Sequence, residues 1–136
     1  MARSFNQIQV LLIQARGTEN IEKQEQVCFQ ERCKLPDEQF VYHNVAHAPI
    51  PESALDGVDA VMIGGAGEFS ACSDYHFTDS LLHLIHIMHD RDIPLMGACW
   101  GHQMLARAMG GTVIHDQERA EFGCRQVKLT DAGKTD

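Results

Sequence analysis

Apolar positions along the chain follow two rhythms. Short, densely apolar runs at residues 8–13 (IQVLLI), 40–45 (FVYHNV) and 60–63 (AVMI) have the length and composition of buried strands. Between them lie longer stretches with helical spacing. One starts near Thr18, Glu19 and Asn20, where a cap residue precedes Ile21, and must end before Pro36. A second starts at Thr78 and sets Leu81, Leu84, Ile85 and Met88 on one face. A third carries Met104, Leu105, Ala108 and Met109 and stops at Gly110 and Gly111. The fourth strand, built on Ile93, Leu95 and Met96, immediately precedes that third helix. Residues 112–114 and 125–129 read as fifth and sixth strands. Strands alternating with helices predict an α/β fold, with crossover helices over a parallel sheet.

The fourth strand and third helix meet in Gly97-Ala98-Cys99-Trp100-Gly101, a sharp turn with a nucleophile at its tip. A residue held in a strained turn between strand and helix needs small neighbours, and Gly97, Ala98 and Gly101 supply them. The first amides of the following helix and its positive dipole end favour a thiolate, and they can stabilise an oxyanion. Cys99 is the one cysteine of five with a glycine two residues away on each side.

A second glycine cluster, Gly64-Gly65-Ala66-Gly67, follows the third strand. In an open parallel sheet the C-terminal ends of the strands line the ligand crevice. If strands three and four are neighbours, this loop faces Cys99 and offers a second backbone donor for an oxyanion. No Gly-Lys-Ser/Thr follows, so it is not a Walker-type phosphate loop.

Composition narrows the function. At 136 residues, 44% hydrophobic and 22% charged, the chain suits one globular domain. A net charge of −8 leaves no basic surface for nucleic acid, and no apolar run reaches membrane-spanning length. The cysteines include no CxxC pair, which fits a reduced, cytoplasmic setting. His83, His86 and His89 recur every third residue, but that spacing drifts around a helix and no Asp, Glu or Cys set completes a metal site. They read as a solvated face, and no metal or cofactor is expected. Asp74, Tyr75 and His76 form a surface loop that could border the pocket.

Gly97-Ala98-Cys99-Trp100-Gly101-His102-Gln103, the Gly-Gly-x-Gly loop and Glu121-Phe122-Gly123 resemble, in order and spacing, the class I (triad) glutamine amidotransferases, especially stand-alone members similar to GMP synthase. The resemblance implies a flavodoxin-like open parallel sheet with helices on both faces. It also implies hydrolysis of the glutamine side-chain amide through a γ-glutamyl thioester, releasing ammonia. Under it Cys99 is the nucleophile, the amides of Gly65 and Trp100 form the oxyanion hole, and Gly67 with the side chain of Gln103 holds the substrate. Family members place a general-base histidine and an acid in a His-x-Glu element well after the cysteine. Here only His102 and His115 follow, and neither sits in such an element. The expectation is therefore one amidotransferase-like domain over residues 1–136, incomplete at its C-terminus and impaired in turnover. Two alternatives share the pattern. One is a γ-glutamyl peptidase or hydrolase using the same Cys99. The other is a non-catalytic subunit that binds a synthase partner or pairs with a second copy.

Overall fold

The structure is a computed structural model that describes residues 4–121 and 123–135. In chain order it contains β1 (Val10–Gln14), α1 (Glu19–Cys33), β2 (Phe40–Asn44), β3 (Ala60–Ile63), α2 (Thr78–Asp90), β4 (Leu95–Gly97) and α3 (Trp100–Ala108). The four strands form one parallel sheet in the order β2-β1-β3-β4. The fold is the open parallel α/β sheet expected from the alternation of strand and helix signals.

β1 is buried along its whole length because it has a strand on each side and helix-covered faces above and below. Its alternating side chains divide two cores. Leu11 and Ile13 join Val61 and Ile63 under α2 and α3, with Leu81, Leu84, Ile85, Met88, Trp100 and Met104. Val10 and Leu12 point the other way, into a smaller cluster with Leu35 and Phe40 that Phe29 and Cys33 of α1 cover. Fully burying such side chains contributes about 1.5–3 kcal/mol each, so the larger core carries most of the stability.

The helices obey their end signals. Thr18 sits at the N-cap of α1 in an extended conformation without a side-chain capping bond, and Glu19 and Glu22 in the first turn and Arg32 in the last suit the helix dipole. Lys34 ends it in the left-handed region (φ 54°), two residues before Pro36. α2 buries the expected stripe of Leu81, Leu84, Ile85 and Met88. α1 differs: Ile21 and Val27 are exposed, and the buried residue of this helix is Glu25.

Three expectations need correction. Residues 112–114 and 125–129 form no strand, and Ile114, Val127 and Leu129 stand 66%, 86% and 59% exposed. A β-run becomes a strand only where a neighbour pairs its amides and a core covers one face. These segments have no strand partner among the described residues. His115 therefore does not end a strand. Met109, placed on the buried face of the third helix, lies just beyond α3 and is 47% exposed, because Gly110 (φ 83°) turns the chain away.

Candidate active site

The site starts from backbone close approach. β3 and β4 pair with Ile63 opposite Gly97, so both strands end side by side at the same rim of the sheet. From there the chain turns through Ala98 and Cys99 into α3. Cys99 has φ 52° and ψ −109°, a conformation L-residues rarely adopt. A net of backbone bonds holds it there. The Ala98 N–H donates to Ile63 O (2.9 Å), the Gly101 N–H to Gly64 O (3.0 Å) and Ala98 O (2.9 Å), and the Gln103 N–H to Cys99 O (3.2 Å).

The glycines are dictated by contact. A Cβ on Gly101 would fall 2.2 Å from Ile63 O, and one on Gly97 would fall 2.6 Å from the Gly101 carbonyl carbon. Helix α3 thus sits against β3 more closely than any side chain permits. Cys99 is the N-cap of α3 and is exposed, and its side chain makes no capping bond. The Trp100 amide, in the first turn, has no intrahelical acceptor. The Trp100 ring is buried and packs edge-on against Phe77, which anchors the turn in the larger core.

The adjacency of β3 and β4 brings the glycine loop up to the cysteine. An ideal Cβ on Gly65 would lie 3.8 Å from the Cys99 Cβ. Helix α1 supplies a third component, which the sequence pattern did not indicate. The Glu25 carboxylate is 8% exposed, accepts the Gly65 N–H (3.1 Å) and a bond from Gln14 Nε2 (3.1 Å), and pairs with the Arg16 guanidinium. Gln26 Nε2 donates in turn to Gln14 Oε1 (2.9 Å). A Cβ on Gly64 would stand 2.7 Å from Glu25 Oε1, so a side chain there would displace the carboxylate. A cavity of about 360 Å³ opens beside this network, lined by Arg16, Glu25, Cys28, Gly65, Ala98 and Cys99 among others. One sequence signal could have found Arg16: it lies just past the C-terminal end of β1, where a parallel sheet lines its crevice. Glu25 carried none beyond a charge inside a helix.

The remaining candidates lie at or around this rim. Gly67 is exposed with open space around it, and Gln103 is exposed on α3. His102 and His115 are exposed. Of Glu121-Phe122-Gly123, Glu121 is exposed, Gly123 has φ 82°, and Phe122 lies outside the described residues. The loop before α2 is pinned by Arg107, which pairs with Asp74 and donates to Ala71 O and Ser73 O (both 3.2 Å). Tyr75 accepts the Ser70 amide (2.8 Å), and His76 packs edge-on against Phe77. His83, His86 and His89 are exposed on α2, and no metal-sized group of three or more His, Cys, Asp or Glu gathers among the described residues. Cys28 is exposed at the cavity and Cys33 half-buried, where burial pushes its thiol pKa up. Cys72 and Cys124 are exposed free thiols. No helix among the described residues is long and apolar enough to cross a membrane.

Known proteins resemble this chain in sequence and fold. The sequence pattern of the family described as Glutamine amidotransferase class-I matches residues 19–135. The glutamine amidotransferase-like protein chyE of Penicillium rubens is 32% identical over 95 residues, which are 68% of this chain and 38% of that protein. A GMP synthase [glutamine-hydrolyzing] of Neisseria gonorrhoeae is 31% identical over 87 residues, 64% of this chain and 15% of that one. Among solved structures, a glutamine amido transferase from Methylobacillus flagellatus superposes with a TM-score of 0.54 at 26% identity, covering 75% of this chain and 39% of that chain. The chain thus spans well under half the length of these relatives. With the family pattern running through the helices, the glycine loop and the elbow alike, the chain belongs to the class I glutamine amidotransferase family.

Proposed function

We propose that the chain carries the glutamine-hydrolysing site of an amidotransferase, with Cys99 as its nucleophile. The observation that carries this reading is the positive-φ cysteine at the N-terminus of α3, facing a glycine loop across the rim of the sheet. The Cys99 thiolate attacks the side-chain carbonyl carbon of glutamine, and the carbonyl oxygen takes the negative charge. The amides of Trp100 and Gly65 stabilise that oxyanion. Gly67 and Gln103 hold the substrate. The intermediate collapses by breaking the C–N bond, and the nitrogen leaves as ammonia after gaining a proton. Water then cleaves the γ-glutamyl thioester to glutamate and restores the thiol.

Both steps need a group that takes and returns a proton. The residues after Cys99 contain no His-x-Glu element to do so, so the chain alone turns over slowly. A synthase would take up the ammonia as the partner of this chain, and pairing with a second copy is the alternative association. The free cysteines suit a reduced, cytoplasmic setting.

Intact-mass analysis after exposure to a diazo-ketone analogue of glutamine tests the assignment, with Cys99→Ser alongside. One adduct in the wild type and none in Cys99→Ser is expected. An adduct that persists in Cys99→Ser, or no adduct on either chain, overturns it. Faster release of product from γ-glutamyl peptides than of ammonia from glutamine would move the activity to a γ-glutamyl hydrolase.

A further inference from the structure

The N–H of Gly65 is already in use. It donates to Glu25 Oε2 at 3.1 Å, and a peptide amide has one proton to give. The peptide between Gly64 and Gly65 is held from both ends, because Gly64 O accepts the Gly101 N–H at 3.0 Å. Its acceptor is no passing surface group. Glu25 is the buried residue of α1, fixed by Arg16 and by Gln14 Nε2 at 3.1 Å, and Gly64 lacks a side chain where one would strike that carboxylate. A hydrogen bond to an ionised carboxylate is about twice as strong as one between neutral groups. Arg16 pairs with that carboxylate, and its Nη2 lies 3.1 Å from where a Gly65 Cβ would stand against 3.9 Å for Glu25 Oε2, so the carboxylate's hold on the site is its bond to the amide rather than an unbalanced charge.

We infer that Glu25 is an internal brake: its carboxylate occupies the Gly65 oxyanion donor in the resting chain, and the donor becomes available only when a bound carbonyl oxygen draws the proton away. The inference rests on the oxyanion role given to Gly65 under the proposed function. It differs from a simple brace in the direction of its effect. A carboxylate that only shaped the loop would make the site worse when removed. One that competes for the donor makes it better.

The test uses the full chain as wild type, Glu25→Gln and Glu25→Ala. Cys99 labelling rates are measured with the diazo-ketone analogue and with iodoacetamide. The ketone oxygen of the first reagent needs the oxyanion donors, whereas iodoacetamide reports only the general reactivity of the thiol. The ratio of the two rates therefore isolates the donor from any change in local charge. It is expected to rise roughly tenfold in Glu25→Ala, the cost of competing with one charge-assisted bond, and by less in Glu25→Gln, which keeps a weaker oxygen acceptor. Should Glu25→Ala fold poorly, the nearly isosteric Glu25→Gln decides. A ratio that is unchanged or lower in the folded variants overturns the brake. Absence of a diazo-ketone adduct from every chain instead defeats the proposed function. Hydrogen exchange at the Gly65 amide, followed by NMR, then reads the contact alone. Exchange much faster in Glu25→Ala than in wild type upholds the capped donor, and equal exchange overturns it.

Discussion

β3 and the segment at residues 125–129 both read as strands in the sequence and differ completely as structure. β3 is wholly apolar, residues 125–129 alternate Val127 and Leu129 with polar side chains, and each reads as a short strand. β3 lies between β1 and β4, buries Val61 and Ile63, and delivers Gly64 and Gly65 to the candidate site. Residues 125–129 run as exposed chain, with Val127 at 86% and Leu129 at 59% exposure. An apolar run specifies which side chains seek cover. Whether they find it depends on a neighbouring strand to bond and a face to fill, and neither is local information.

The contrast can be tested from its strongest end downward. Phe77 is fully buried and meets Phe69, Tyr75 and Trp100, so it ties the loop before α2 to the elbow helix. Phe77→Ala is expected to cost about 3–5 kcal/mol in urea unfolding, enough to leave much of a marginal domain unfolded. Gly101→Ala drives a methyl group into the Ile63 carbonyl and should cost about 3 kcal/mol. It should also slow Cys99 labelling, because α3 can no longer sit against β3. An unfolding midpoint and labelling rate equal to wild type would show that the close approach is not needed.

A smaller effect belongs to β2. Burial, and then the hydrogen bond that Tyr42 donates to Asp37, push the Tyr42 hydroxyl from 10.0 up to about 12. The folded state therefore keeps this proton at pH values where the unfolded chain has lost it. The contribution is complete below about pH 10 and is lost as pH rises toward about 12. Tyr42→Phe should flatten that part of the stability-versus-pH curve, and an unchanged slope would count against the half-buried neutral tyrosine. At the weak end, Val127→Ser is expected to shift stability by less than about 0.5 kcal/mol, since Val127 is exposed. A loss as large as that of Phe77→Ala would break the comparison and place residues 125–129 in a packed structure.

Much of the architecture was legible in advance, because its signals are local and repeated. β3 has the bounds its apolar run predicted, α1 begins after Thr18 and ends before Pro36, and the face of α2 is the one its spacing marked. The elbow was legible because close packing leaves a trace in residue type: glycine at 97 and 101, where nothing larger fits. The Arg16–Glu25–Gly65 contact was not legible. It joins the end of β1, the middle of α1 and the loop after β3, and a buried carboxylate in a polar helix looks the same in sequence as a solvated one.

The sequence by itself determined the alternation of strand and helix, the apolar faces, the strained turn at Cys99 and membership of the class I amidotransferase family. Each is encoded in the order and size of neighbouring residues. Only the tertiary structure decided that β3 and β4 are adjacent, that the Gly65 amide is spent on Glu25, and that the runs after α3 find no partner strand among the described residues. Those outcomes turn on which distant groups meet. A hydrogen-bond donor or an apolar face does not carry the identity of its partner.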